Sequence, residues 1–264
     1  MSTRGAYGFI AKNKVYATYN NSDSYPSCLG NTILEFCAKI NETKKNEFET
    51  WGKLKDSVLS LKSLGRKKYN PTLADKRFYS SLFKRKDFSQ FRELISGASS
   101  NGDMLNLILK GKLKHIANDE DFLLDSLFCE FAYLINLDDW TLEFYKGFQK
   151  SPTKGNRFGE KALGSRSKYY PVALKLKIFL EDILKDEIEN IQQEIVDSFE
   201  NEYVDPFEFN STSSSVKPKV KKSKKVIKKL PVKKSIATKK APTKKPVKKV
   251  AVKKAAPKRK IVHC

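Results

Sequence analysis

Histidine is almost absent from this chain of 264 residues, which holds two, and cysteine is sparse, with four. Cys28, Cys37, Cys129 and Cys264 contain no C-x-x-C pair, so the spacing gives no zinc site and no metal is expected. Cys37 and Cys129 lie in apolar stretches and read as buried free thiols of a reduced compartment. No run of about 18 apolar residues occurs, so no membrane span is expected. The apolar stretch Ala6–Ile10 is too short for a secretory signal core. The protein is therefore expected to be intracellular, on the cytoplasmic or nuclear side. Phosphate-binding G-x-x-x-x-G-K-[ST] and G-x-G-x-x-G loops are missing, as is a His-Glu metalloprotease motif, and no cofactor is expected. Asp119-Glu120-Asp121 with Asp125 lacks the glycine and spacing of a calcium loop and reads as an acidic helix start.

A second absence is regional. From Val216 to Cys264 there is no Asp, no Glu and no aromatic residue, against 21 Lys and Arg. The other 31 basic residues of the chain face 30 acidic ones, so nearly all of the net charge of +22 sits in this tail. After the single Lys217 and Lys219, its cations come in pairs: Lys221-Lys222, Lys224-Lys225, Lys228-Lys229, Lys233-Lys234, Lys239-Lys240, Lys244-Lys245, Lys248-Lys249 and Lys253-Lys254, then Lys258-Arg259-Lys260. Five prolines interrupt any long helix. Without an apolar core to offset chain entropy, the segment is expected to be disordered. A flexible chain of ammonium groups suits phosphate tracking by counterion release, with little sequence preference. Non-specific nucleic acid is the expected partner, ahead of anionic membranes and acidic proteins.

What is present in the first 215 residues is foldable: all 17 Phe, all 11 Tyr and both Trp. Ala6–Ile10 and Val15–Asn20 around a Lys/Asn turn read as a β-hairpin, and 131–137 with 140–145 around Asp138-Asp139 as a second. Helices are expected from Asn31 to about Ile40, from Phe48 to Leu64, and in short pieces between Pro71 and Lys112. Phe122–Phe128 is compatible with helix, 147–167 reads as a long loop, and 172–179 as either a strand or a helix start. From Leu180 the apolar residues Leu184, Ile188, Ile191, Ile195 and Phe199 step at helical spacing. Residues 181–208 carry 11 acidic and one basic residue, whereas 1–180 carry 30 basic and 19 acidic. The expectation is an α+β domain over 1–180, an antiparallel sheet from two hairpins packed by helices. An acidic amphipathic helix over 181–209 and the disordered tail over 210–264 follow. The stripe over 180–203 packs on the domain or meets a helical partner.

Thr3-Arg4-Gly5, Gly8-Phe9, Tyr19-Asn20, Asp23-Ser24-Tyr25-Pro26 and Leu29-Gly30 together resemble the opening of an uncharacterised family of phage, bacterial and large-DNA-virus proteins. That family begins T-R-G-x-x-G-F and continues Y-N-H-x-D-S-Y-P-x-x-L-G. Residues 130–138, 142–147, 155–158 and 169–172 are also similar to it. The resemblance implies a shared domain over residues 1–180 and little chemistry. Where the family has His in Y-N-H, this chain has Asn21, so a proton shuttle at that position would be missing here. The tail resembles in composition the tails of linker histones and of DNA-packaging proteins of large DNA viruses.

Two function classes follow. The first is non-enzymatic nucleic-acid association, as a viral accessory or packaging protein. The second is an enzyme or small-ligand domain whose pocket gathers Arg4, Asp23, Tyr25 and Arg157, the arginines clamping a phosphate or carboxylate, with the tail as a localising arm. Asp23 and Ser24 can equally serve the turn through side-chain-to-backbone bonds. Removal of Met1 would expose Ser2 ahead of a strand, the arrangement of N-terminal-nucleophile hydrolases, but the resembling family carries Gly there.

Overall fold

A computed structural model describes residues 3–43, 47–65, 69–84, 87–163 and 168–199. The lysine-rich tail and Ser2 lie outside them.

Lys12 and Asn13 both take positive φ, 50° and 57°, the left-handed turn geometry that matches strand twist. They join β1 (Gly5–Ala11) to β2 (Lys14–Asn20). One π-helical turn, Pro26–Gly30, leads into α1 (Asn31–Asn41). Then come α2 (Glu47–Leu59), β3 (Lys62–Leu64), α3 (Leu73–Phe83), α4 (Phe91–Gly97), α5 (Asp103–Leu109) and β4 (His115–Ala117). The second hairpin is β5 (Phe131–Asn136) and β6 (Thr141–Lys146), followed by the strand β7 (Ala173–Phe179) and the helix α6 (Ile188–Asp197).

The fold is α+β, but the sheet is mixed, in the order β2-β1-β5-β6-β7. Both hairpins form, yet they are joined by a parallel pairing, Gly5 opposite Phe131 through Ile10 opposite Asn136. Aromatic-rich runs and turn residues specify local pairing only. The relative direction of the hairpins is set by the long connection between them, and its helices form the crossover that a parallel pair requires. Two other expectations shift. The helix expected over Phe48–Leu64 ends at Leu59, and Lys62–Leu64 pairs in parallel with β4. Phe122–Phe128 gives a 3-10 segment, Glu120–Leu124.

Strict alternation in β1 sends Tyr7 and Phe9 to the helical side, where they meet Ile33, Leu34, Trp51 and Ile95 in the main core. Ala6 and Ile10 go to the opposite face, with Ala132, Leu134 and Tyr145 under Leu123 and Val172. Of the acidic helix expected over 181–209, residues 200–209 lie outside the described residues. Within 180–199, residues 180–182 and 185–187 are 3-10 turns, and α6 covers Ile188–Asp197. Ile188, Ile191 and Ile195 are buried in the chain's own core, with Phe199 packed against it.

The resembling block forms one packing junction. The Ser24 N–H donates to Thr3 O (3.2 Å), the Asn20 amide to Ser24 Oγ (2.9 Å), and the Tyr133 hydroxyl to Ser24 O (3.1 Å). Gly5 is required there, because a Cβ would stand 2.5 Å from Phe131 O and 2.7 Å from Ser24 Cβ. Gly8 is tighter still, with a Cβ 1.9 Å from the Tyr16 carbonyl oxygen. Gly8→Ala is therefore expected to push β1 and β2 apart and cost about 1–3 kcal/mol. The measurement is the urea midpoint; a midpoint equal to that of the unsubstituted chain would contradict this packing.

Candidate functional site

The four side chains expected in one pocket are divided. Arg4 borders a cleft of about 370 Å³, and Arg157 borders a different cavity of about 700 Å³. Asp23 and Tyr25 border neither. Asp23 has φ of 53° and its carbonyl accepts the Leu29 N–H (3.1 Å). The Tyr25 carbonyl accepts from Cys28 (3.0 Å) and Gly30 (3.2 Å), and its ring lies 6.0 Å from that of Phe131. Both residues therefore shape the turn that starts α1.

Arg157 leaves the long loop to meet the opposite sheet face. Its Nη2 donates to Glu143 Oε1 at 2.9 Å, and its Nε donates to the Tyr145 hydroxyl at 3.3 Å. Glu143 is fully buried. It also accepts from Asn136 Nδ2 (2.9 Å) and from the Tyr145 hydroxyl, and Lys177 Nζ stands 3.8 Å away. Asn136 in turn accepts the Asp138 and Asp139 N–H groups at the β5–β6 turn. A carboxylate inside a sheet face is tolerable only with such a set of donors. The cluster ties loop to sheet, and it spends one edge of the Arg157 fork on Glu143 and Tyr145.

A second polar cluster surrounds His115, which is fully buried on β4. The Tyr79 oxygen accepts the N–H groups of Lys114 (2.8 Å) and His115 (3.1 Å), so its own proton points to His115 Nδ1 (3.2 Å). That assigns the remaining ring proton to Nε2, which faces Tyr69 Oη (3.4 Å) and Asp75 Oδ1 (3.7 Å). Asp75 Oδ2 accepts from the Tyr69 hydroxyl (3.0 Å) and from the Thr72 hydroxyl (2.8 Å) and N–H (2.9 Å). Thr72 and Asp75 thereby form the capping box of α3. Carboxylate, imidazole and phenol stand in the order of a proton relay. Phe91, Tyr69 and Tyr79 rings close over the imidazole, and the arrangement serves to lock α3 onto β4.

A smaller open cleft, of about 370 Å³, is lined by Arg4, Tyr19, Arg92, Ser96, Asp119, Phe122 and Phe128. Arg4 enters from the residue before β1, its guanidinium 4.7 Å above the Phe128 ring. Its backbone N–H donates to Glu130 Oε1 (3.2 Å), and among the described residues the guanidinium makes no ion pair. Arg92 and Ser96 lie one turn apart on α4, while Phe91 and Ile95 of that helix are buried. Arg92 Nη2 pairs with Asp119 Oδ1, and its buried Nε has no partner. Asp119 is fixed because the segment after β4 docks on the edge of β2: Asp119 N–H donates to Ala17 O (2.7 Å) and Ala17 N–H to Asn118 Oδ1 (2.9 Å). Tyr19 and Phe122 meet edge to face at 4.9 Å between centroids, and Phe128 is 40% exposed. The cleft thus offers two arginines, one neutralised carboxylate, a hydroxyl and an aromatic wall.

Arg92 was not legible as a site residue, since its helix is short and its sequence marks it only as one charge among many. No group of residues suited to a metal ion occurs among the described residues. No described helix is long and apolar enough to cross a membrane. No family model, curated protein or solved structure matches this chain.

Burial holds the His115 imidazole below its usual range; Asp75 favours its charge, while Lys62 and Lys114 oppose it. Burial alone would raise Asp75, but its bonds from Thr72 and Tyr69 and the nearby His115 bring it below the ordinary carboxylate value. An unfolded chain takes up a proton at this histidine below about pH 6.5 while the folded one resists, so stability falls as pH drops through that value. The limiting slope is about 1.4 kcal/mol per pH unit. The Asp75 contribution is lost at lower pH, below about 3.9. Urea midpoints from pH 7.5 to 5 should decline, and His115→Gln should remove the pH 6.5–5 part of the decline. An identical profile in the variant would refute the assignment. Separately, Arg157→Ala strips the buried Glu143 of its main cation and is expected to cost about 2–3 kcal/mol, read from the same midpoints.

Proposed function

We propose that this chain is a non-enzymatic nucleic-acid-associating protein, an accessory or packaging component of a large DNA virus, that holds phosphate backbones through its lysine-rich C-terminal arm. The observation that carries the reading is the charge distribution: 21 cations and no anion from Val216 to Cys264. The remainder of the chain is close to neutral, with 31 basic and 30 acidic residues, and acts as the cargo or platform that the arm localises. A second basic concentration supports the reading. Residues 146–177 contain nine Lys and Arg (Lys146, Lys150, Lys154, Arg157, Lys161, Arg166, Lys168, Lys175 and Lys177) and one acid, Glu160. Of these, Arg157 meets Glu143, and Lys175 and Lys177 lie on the edge strand β7, where lysines also discourage edge-to-edge pairing.

The reading requires binding that is weakly sequence-dependent and steeply salt-dependent. Between 50 and 200 mM salt, affinity for an oligonucleotide should fall at least about a hundredfold. Deleting residues 216–264 should flatten most of that slope. A filter-binding titration in which the truncated chain keeps both the affinity and the slope of the full chain sinks the proposal.

A further inference from the structure

We propose that the cleft between Arg4 and Arg92 is a seat for one unpaired nucleotide, the phosphate held by the arginines and the base laid on the aromatic wall. The inference rests on the nucleic-acid reading and gives it a strand preference that the arm alone cannot supply.

Three features of the cleft select this ligand. First, its donors are only partly committed. Arg4 makes no ion pair among the described residues, while Arg92 holds Asp119 through Nη2 and leaves its Nε–H, inside the cleft wall, without a partner. Planar forks of this kind match the oxygens of a phosphate better than a point charge does. Second, Phe128 presents an aromatic surface 40% exposed at the rim, with Tyr19 and Phe122 behind it. Arg4 already lies over one face of Phe128, so a base sliding beside it meets a ring and a guanidinium together. Third, the volume of about 370 Å³ falls at the small end of ligand clefts, which span about 300–1,000 Å³. A paired base keeps its faces within the duplex stack, so this wall is reachable only for an unpaired one.

The lysine arm lacks aromatic residues and cannot distinguish single from double strands by stacking. The cleft can. Arm and cleft belong to one chain, so a strand held by the arm stays tethered to the protein that carries the cleft.

The test uses the full chain carrying Phe128→Trp as a reporter, with an oligothymidylate, a duplex of equal phosphate number and free thymidine monophosphate as probes. Anisotropy of labelled probe reads total binding; tryptophan emission, corrected for the unsubstituted chain, reads the cleft. The expected result is quenching by the single strand, little by the duplex, and little by the mononucleotide at the same phosphate concentration. In addition, Arg4→Gln with Phe128→Ala should lower single-strand affinity about tenfold and leave duplex affinity unchanged. Anisotropy showing full binding while the reporter emission stays unquenched would overturn the cleft proposal and leave the arm reading intact. Quenching that survives deletion of the arm, with the salt slope unaltered, would do the reverse. Equal quenching by the duplex also counts against the strand preference.

Discussion

Strand β1 lies between two other backbones, and β5 at Gly5 and β2 at Gly8 leave no space for a side chain. A Cβ at Gly8 would fall 1.9 Å from a carbonyl oxygen of β2, and one at Gly5 would fall 2.5 Å from a carbonyl oxygen of β5. This close approach fixes where everything else can stand. It lets Ser24 tuck under Gly5, which sets the turn into α1, and it brings Arg4 out beside Phe128 at the end of the sheet. The N-terminal block that looks from its residue types like a reactive loop is chiefly a joint.

Among the described residues two buried clusters are built around an ionisable side chain, Glu143 and His115, and both are closed. Glu143 is surrounded by Asn136, Tyr145, Arg157 and Lys177, and His115 by Tyr79, Tyr69 and Asp75. Each set satisfies its buried charge or ring with neighbours from a different segment of chain, so each trades desolvation for a cross-link between elements. The Arg4–Arg92 cleft differs because its donors are incompletely used and its aromatic rim faces solvent. That contrast separates a site from a lock.

Local pattern carried much of the fold. The Lys12-Asn13 and Asp138-Asp139 turns, with aromatic and β-branched residues on both sides, marked the hairpins, and helical spacing marked α1 and the buried edge of α6. The parallel joining of the hairpins was illegible, because it depends on a crossover of many short helices whose packing direction has no local signature. The conversion of Lys62–Leu64 into a strand was hidden for a similar reason: helical spacing continued past the point where β4 captured the backbone. Of the expected pocket, Arg4 reached an open cleft, while Arg157 was drawn to Glu143, an attraction that sequence separation gives no means of seeing. His115 looked isolated in the sequence, and the carboxylate it faces, Asp75, belongs to the capping box of α3, a distant segment of chain.

The parallel pairing also has a temporal side. The Arg4 N–H finds its partner on Glu130, 126 residues later in the chain. At a synthesis rate of about 5–20 residues per second, the first hairpin waits roughly 6 to 25 s for the strand that completes its sheet. During that interval one backbone edge of β1, with its row of unpaired N–H and C=O groups, is open to any other strand in the vicinity. The length of that exposure is set by the crossover between the two strands and not by the stability of the finished sheet.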